Sequence, residues 1–319
     1  MKTIKEFFRS NAAKFALKAG ISTALLLAIF YFIGAGKIYN ELVSSSLYYV
    51  ALGAAFVPVQ ILFKAARWSS IIHIFKNKIS LRSSYDYTMV SQSFGIITPG
   101  RVGELIKAKF LVDETGMGYA RSISTIIIDK AFDVIVGVLI ALGGLSFVLP
   151  NHNKAFFTSA FIAYSALMLF SLLFFSRIKK QIINVLLKVL PKKYKANFEG
   201  LIMPPTLYAK SLAYSILVTT ALSVQGFFAA KALFMDVSFF VMLTLIPLMA
   251  FSSMLPISIG GVGIREIVSI YFLSSIGVAA EKSAAFSLLY TFVTFGIPAV
   301  TGAILFFRRK SANPAKYLS

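Results

Sequence analysis

The fold of this chain is decided by a stretch that occurs in two versions, Phe94-Gly-Ile-Ile-Thr-Pro-Gly-Arg-Val-Gly-Glu104 and Leu255-Pro-Ile-Ser-Ile-Gly-Gly-Val-Gly-Ile-Arg-Glu266. Each version has an apolar run, a Pro/Gly break, an Arg and a Glu, and then a second apolar run. The alignment continues to Phe110-Leu111 and Phe272-Leu273. Paired, Gly/Pro-interrupted apolar segments in two halves of a chain indicate a transporter's substrate site.

The composition places the chain in a lipid bilayer. Of its 319 residues, 58% are hydrophobic and 14% charged, and the mean hydropathy is +0.80. A soluble domain of this length cannot bury so much apolar surface. With no cysteine and two histidines, the sequence predicts no disulfide, no metal site and no cofactor. The net charge of +20 is read as charge at the membrane surface, so nucleic acid is not an expected partner.

Six apolar runs are long enough to cross a bilayer, since about 20 residues span its ~30 Å core. They are Leu17–Ala35, Leu47–Phe63, Ser122–Leu149, Phe156–Phe175, Leu212–Phe234 and Ala284–Phe307. Two further segments remain, Tyr85–Leu111 and Phe239–Leu273, called here the first and second broken segments. Each is long enough for two half-helices and carries charge at its middle.

Lysine and arginine cluster before the first span and after the second, fourth and last spans. The cluster after the second span is Lys64, Arg67, Lys76, Lys78 and Arg82. The positive-inside rule then puts both termini in the cytoplasm, at the cytoplasmic membrane. The first broken segment would enter from the inside and the second from the outside.

These assignments predict an all-α, polytopic membrane fold of about six full spans and two re-entrant helical hairpins. Three crossings in each half make residues 1–149 and 150–319 inverted repeats of one transmembrane domain, 1–319. If each broken segment instead crosses fully, the count is eight and the halves are parallel.

The charges at the two breaks are the candidate substrate ligands. Arg101 and Glu104 follow the first break, and Arg265 and Glu266 follow the second. They are expected to start the returning half-helices, where free N–H groups and a partial positive charge favour anions. An Arg there would hold a lipid phosphate with paired donors. The alternative is that each Arg only pairs with its neighbouring Glu. The glycines that would let the backbone approach the ligand are Gly100, Gly103, Gly260, Gly261 and Gly263.

Three more charges, Asp129, Lys130 and Asp133, lie inside an otherwise apolar span. A charge at the bilayer centre costs about 2.5–3.5 kcal/mol on insertion scales. In the functional interpretation they face the cavity, where they pair with Arg101 or Arg265, hold a coupling cation or proton, or meet a cationic headgroup. The alternative is a structural Asp–Lys cluster.

Other polar and aromatic residues are assigned to packing or to the membrane surface. Gln60, Gln92 and Gln225 are expected to form hydrogen bonds between helices, and Trp68 to belong to an interfacial belt. The basic connector Arg177–Glu199 is expected to lie on anionic inner-leaflet lipids. No Walker loop, HExxH motif or Asp-rich run occurs, so the sequence predicts neither an enzyme nor ATP-driven transport.

Taken together, Thr98-Pro-Gly-Arg-Val-Gly-Glu104, Asp129-Lys130-x-x-Asp133 and Pro256-Ile-Ser-Ile-Gly-Gly-Val-Gly-Ile-Arg-Glu266 resemble the lysylphosphatidylglycerol synthase transmembrane family, also called the flippase-like domain family. The resemblance covers nearly the whole chain. It implies that the arginines and glutamates of the breaks line a lipid cavity, with the Asp129 group nearby. Relatives move aminoacylated phosphatidylglycerol or are associated with polyprenyl-linked sugars. No soluble synthase domain follows Phe307, so synthesis of the lysyl lipid is not expected.

The resulting hypothesis is a lipid flippase or scramblase whose partner is a membrane lipid with a phosphate headgroup. Two rivals remain open: a transporter or channel for a small soluble anion, and a lipid-modifying enzyme or its accessory subunit. A homodimer is also considered.

Overall fold

A computed structural model describes residues 12–98, 100–148, 158–166, 203–254 and 257–312, and within these ranges the chain is helical with no β-strand. The helices are α1 Ala12–Ile29, α2 Ala35–Val43, α3 Leu47–Ile72, α4 Leu81–Ile96, α5 Ile106–Thr115, α6 Tyr119–Val148, α7 Pro205–Ala232, α8 Phe239–Met254, α9 Ile264–Ser275, α10 Ala280–Thr291 and α11 Ile297–Ala312. Short π-helical turns, Phe30–Gly34 and Phe292–Gly296, join α1 to α2 and α10 to α11.

Within the described ranges, five helical stretches are long and apolar enough to cross a membrane, which confirms the predicted class of fold. They are Phe15–Val43, Leu47–Phe75, Tyr119–Val148, Pro205–Ala232 and Ala280–Arg308. Each coincides with one of the six predicted spans. The remaining one, Phe156–Phe175, lies largely outside the described residues, with only 158–166 seen as helix. The connector Arg177–Glu199 lies wholly outside them.

The prediction for the second span was wrong at its end. The helix does not stop at Phe63 but continues to Ile72 and a 3-10 turn at His73–Phe75. Lys64 and Arg67 therefore lie within α3 and not on a cytoplasmic loop, and Arg67 is fully buried. A polar residue inside an apolar helix looks like the end of the helix when only the local sequence is read.

Both broken segments are interrupted where the sequence predicts. In the first, α4 ends at Ile96 and the chain resumes with a 3-10 turn at Val102–Leu105 before α5. In the second, α8 ends at Met254 and α9 begins at Ile264. The breaks have left-handed backbone at Gly100, Arg101, Gly260, Gly261 and Gly263. Pro99, Leu255 and Pro256 lie outside the described residues.

The two arms of the first broken segment come together at their outer ends. The rings of Tyr87 in α4 and Phe110 in α5 stack with their centroids 4.9 Å apart. Both belong to an apolar cluster with Ile72 and Phe75, at the end of α3. The beginning and end of this segment therefore lie at the same end of α3.

The second broken segment has its outer ends at the opposite end of α3. Met242 in α8 and Phe272 in α9 share an apolar cluster with Leu233. Next to Leu233, the carbonyl of Ala232 accepts a hydrogen bond of 2.8 Å from the N–H of Ser46, just before α3 begins. This arrangement agrees with entry from opposite faces, although the number of full crossings and the re-entry stay predictions.

Each broken segment packs on a helix of the other half of the chain. The first arm α4 packs along α11, and the first arm α8 packs along α6. Both contacts depend on glycine: a Cβ atom on Gly302 of α11 would clash with the carbonyl oxygen of Met89, and one on Gly144 of α6 would clash with Thr244. Small residues at such positions let membrane helices approach closely.

Candidate functional site

The two breaks meet inside the helix bundle. A Cβ atom on Gly260 would lie 2.5 Å from the carbonyl oxygen of Ile96, the last residue of α4. Glycine also closes each break onto its own first arm. A Cβ on Gly103 would clash with the Phe94 carbonyl, and one on Gly261 would lie 2.5 Å from the Cα of Ser253. The sequence predicts that these glycines let the backbone approach a ligand. In the structure Gly103, Gly260 and Gly261 let it approach neighbouring backbone, and the approach to a ligand stays a prediction.

The arginines of the two breaks converge on one aromatic ring. The guanidinium carbon of Arg101 lies 4.8 Å from the centroid of Phe295, and that of Arg265 lies 4.6 Å from it. Phe295 belongs to the π-helical turn between α10 and α11. Cation–π attraction to this ring holds both side chains beside each other.

The side chain of Arg101 lines two spaces. One is an interior cavity of about 70 Å³ with five charged side chains in its wall. They are Lys64, Arg101, Lys130, Asp133 and Arg265. The other is a more open groove of about 430 Å³ between the first break and α6, lined by Gly100, Arg101, Glu104 and Lys130 together with apolar residues.

At the first break the charges are paired. The Nε of Arg101 lies 2.7 Å from Oε1 of Glu104, and the other carboxylate oxygen of Glu104 is bound by the amine of Lys130. The guanidinium of Arg101 also donates a hydrogen bond to the side-chain oxygen of Gln92. Arg101 therefore pairs with its own Glu, as the alternative expects, and it also lines the cavity and the groove.

At the second break the same alternative is wrong. Oε2 of Glu266 accepts a hydrogen bond of 2.6 Å from the N–H of Gly263, and Oε1 lies 3.4 Å from the hydroxyl of Ser287, which donates to it. The side chain of Glu266 thus caps the start of α9. Arg265 is 1% exposed, and its Nε and Nη2 donate no hydrogen bond to any described residue. None of the ion pairs among the described residues includes it.

The carboxylates of α6 have partners that the sequence did not indicate. Asp129 accepts from Nε of Arg67 at 2.8 Å and from Nζ of Lys107 at 3.1 Å. Asp133 accepts from the same Arg67 at 2.6 Å, and the Arg67 guanidinium also donates to Ser215 at 2.6 Å. The expected pairing with Arg101 or Arg265 is wrong, because Arg67 and Lys107 already occupy these carboxylates.

Sequence reasoning missed Lys64, Arg67, Lys107 and Phe295. For the first two a signal was available, because Gln60, Lys64 and Arg67 are spaced four and three residues apart and share one helix face. The apolar run continues beyond them, which indicates a buried polar face rather than a loop. For Phe295 the sequence offers no signal, since it is one of 31 phenylalanines.

Of the remaining expectations, that for Gln60 and Gln225 is confirmed and that for Trp68 is wrong. Gln225 donates to Gln60 at 3.2 Å and accepts from Thr294 at 3.0 Å, so these glutamines do join helices as predicted. Trp68 was predicted wrongly: it is fully buried, and its indole N–H donates to Thr125 at 3.0 Å. The amine of Lys107 lies 4.6 Å from its ring.

Fold and site together define a polytopic helical membrane protein with a charged interior between two broken segments. The family model for the lysylphosphatidylglycerol synthase TM region matches residues 15–302, and the chain belongs to this family. It is also similar to a UPF0104 membrane protein of Pyrococcus horikoshii, with 20% identity over 322 residues that cover 91% of this chain and 96% of the relative. The family resemblance seen in the sequence is thereby confirmed.

Proposed function

We propose that this protein is an ATP-independent lipid flippase or scramblase. A phosphate-bearing headgroup enters between the two breaks, while the acyl or prenyl tails stay in the surrounding lipid. The membrane is the cytoplasmic membrane, with both termini in the cytoplasm.

The observation that carries this proposal is the groove beside the first break. Its inner wall bears Arg101 and Lys130. Its rim carries exposed apolar side chains, among them Val102, Leu105 and Ile127, the last 60% exposed. Exposed apolar side chains on a membrane protein face lipid tails. A headgroup can therefore reach the arginine sideways from the bilayer.

The second support is the continuity between groove and interior. Arg101 and Lys130 line both spaces, and Arg265 follows on the other side of the contact with Phe295. A phosphate held by Arg101 can be passed to Arg265 and stay bonded throughout to donors that suit its oxygens. The site between the breaks is thus suited to stepwise transfer.

The packing of the two halves supports alternating access. The broken segments have their outer ends at opposite ends of α3, and each packs on a helix of the other half. We propose that residues 1–149 and 150–319 are inverted repeats, and that rocking one against the other opens the site to one leaflet at a time.

We propose transport rather than catalysis because the buried carboxylates of the site are engaged. Asp129 has two cationic partners, and so has Glu104. A general base needs a carboxylate within hydrogen-bond reach of the substrate's proton. Those two side chains instead neutralise their neighbours.

The test is lipid movement in proteoliposomes that contain a fluorescent anionic phospholipid, followed by dithionite quenching of the outer leaflet. The wild-type protein is expected to make the inner-leaflet label accessible, and Arg101→Gln and Arg265→Gln are expected to slow this at least tenfold. Arg82→Gln, at an exposed position outside the site, is the matched control. Equal rates in all four proteins would overturn the mechanism.

One observation favours a second candidate, a transporter for a small soluble anion: the interior cavity is far smaller than the groove, about 70 against 430 Å³. Uptake of radiolabelled phosphate into the same vesicles distinguishes the two. Phosphate uptake without movement of labelled lipid would replace the lipid hypothesis with this one.

A further inference from the structure

The charges around the interior cavity do not balance. We count the charged side chains of the cavity wall, the residues linked to them by ion pairs, and Glu266, the chain neighbour of Arg265. Together they are six cations and four carboxylates. The cations are Lys64, Arg67, Arg101, Lys107, Lys130 and Arg265, and the carboxylates are Glu104, Asp129, Asp133 and Glu266. Two positive charges are left over.

Two of the six cations have no carboxylate partner among the described residues, and both face the cavity. Arg265 is buried with Nε and Nη2 unsatisfied among the described residues. Lys64 lines the same cavity and makes no ion pair or hydrogen bond with a described residue. By contrast, Arg67, Arg101, Lys107 and Lys130 each have a carboxylate partner.

An unpaired buried cation is unfavourable, because its desolvation is not repaid by a partner. Membrane interiors keep such groups where they meet a ligand or an ion. Two unpaired cations at one cavity are neutralised by one ligand only if that ligand carries two negative charges.

We propose that the interior cavity binds a dianionic phosphate, the headgroup of a lipid phosphomonoester. This inference rests on the proposed lipid transport and narrows its substrate. A phosphomonoester has a second pKa near 6 and carries close to two charges at neutral pH. A phosphodiester such as phosphatidylglycerol carries one charge, and an aminoacylated headgroup adds positive charge to a site that already has an excess.

The geometry fits a compact dianion. The cavity of about 70 Å³ holds the equivalent of about five water molecules. This space suits a compact group such as a single phosphoryl group. Arg265 offers a planar pair of donors to two oxygens, and Lys64 acts as a point charge for the third.

The binding test uses the purified full-length chain in detergent at pH 7. Thermal stabilisation and native mass spectrometry are measured with phosphatidic acid, phosphatidylglycerol and inorganic phosphate. Phosphatidic acid is expected to bind at least tenfold more tightly than phosphatidylglycerol. Tighter binding of inorganic phosphate than of phosphatidic acid would keep the dianion site and assign it to a soluble ligand. Equal binding of the two lipids would overturn the proposal.

Three variants and one control variant locate the preference. Arg265→Gln and Lys64→Gln are each expected to reduce the preference for phosphatidic acid at least tenfold, whereas Arg265→Lys keeps part of it and Arg82→Gln keeps all of it. Should Arg265→Gln fail to fold, Lys64→Gln still decides. An unchanged preference in Lys64→Gln would contradict the charge argument.

Transport separates this inference from the proposed function. Movement of phosphatidic acid and phosphatidylglycerol at the same rate would leave the flippase in place and remove the dianion site. Preferred binding of phosphatidic acid without movement of any lipid would leave the dianion site in place and remove the flippase.

Discussion

The first and second breaks each carry glycines, an Arg and a Glu, but they differ in whether the Arg has a carboxylate partner. Arg101 pairs with Glu104, which also binds Lys130. Arg265 has no ion pair among the described residues, although Glu266 is its neighbour in the chain. At the first break the arginine has a carboxylate partner, whereas at the second break the guanidinium faces the cavity without one.

The difference comes from the spacing of two residues. Arg101 and Glu104 are three positions apart across a 3-10 turn, so their side chains lie on the same side. Arg265 and Glu266 are consecutive residues of a helix and point in different directions. The carboxylate of Glu266 is used instead to cap α9 through the N–H of Gly263. A shift of two residues thus decides whether an arginine is neutralised or left for a ligand.

The largest effect is expected in α6, where Asp129 and Asp133 neutralise Arg67 and Lys107. Asp129→Asn leaves Arg67 and Lys107 without their shared carboxylate, and breaking such a buried pair costs about 3–5 kcal/mol. The free energy of unfolding, measured in detergent, should fall by this amount. Asp113→Asn, half-buried on α5, is the control and should change it little. Equal losses in both variants would show that the Asp129 cluster does not stabilise the fold.

The next largest effect is expected for the glycines at the breaks, where substitution should lower stability in both breaks alike. Gly103→Ala forces a Cβ into the Phe94 carbonyl, and Gly261→Ala forces one against Ser253. Overpacking of this kind costs about 1–3 kcal/mol, and a positive φ at Gly261 adds strain. Gly118→Ala has open space around its Cβ and serves as the control for thermal unfolding. A wild-type melting temperature for Gly103→Ala would contradict the closed break.

A smaller effect tests the comparison of the two breaks directly, through the free energy of unfolding of the protein without added lipid. Arg101→Gln removes one partner of Glu104 but leaves Lys130, so about 1 kcal/mol should be lost. Arg265→Gln removes an unpaired charge and should leave stability unchanged or raise it. Chemical unfolding of the delipidated protein measures both. A larger loss in Arg265→Gln than in Arg101→Gln would reverse the assignment of the two breaks.

The last effect, of similar size, concerns competition at the first break. Glu104 occupies the donors of Arg101 and Lys130 that an incoming phosphate needs. Glu104→Gln should therefore tighten the binding of an anionic lipid by about fivefold, equivalent to about 1 kcal/mol. Glu266→Gln, at the corresponding position of the second break, should not, because Glu266 caps a helix. Weaker binding in Glu104→Gln would mean that Glu104 positions Arg101 rather than competing with the ligand.

Much of the architecture could be predicted from local sequence. Apolar length placed five of the spans, and Pro and Gly placed both breaks, because these signals act within one helix turn or one helix length. The end of α3 was misplaced because Lys64 and Arg67 resemble a loop when only the local sequence is read. The partners of Arg67, Asp129 and Asp133, lie on another helix.

The sequence alone determined that this chain lies in a bilayer, where its helices run, where two of them break and which charges follow the breaks. Only the tertiary structure decided which of those charges are neutralised. Arg67 meets Asp129, and Arg101 and Arg265 meet at Phe295, through contacts between segments far apart in the chain. Hydrophobicity and helix breaking are properties of a short segment, whereas ion pairing depends on distances of a few Å that exist only after the helices have packed.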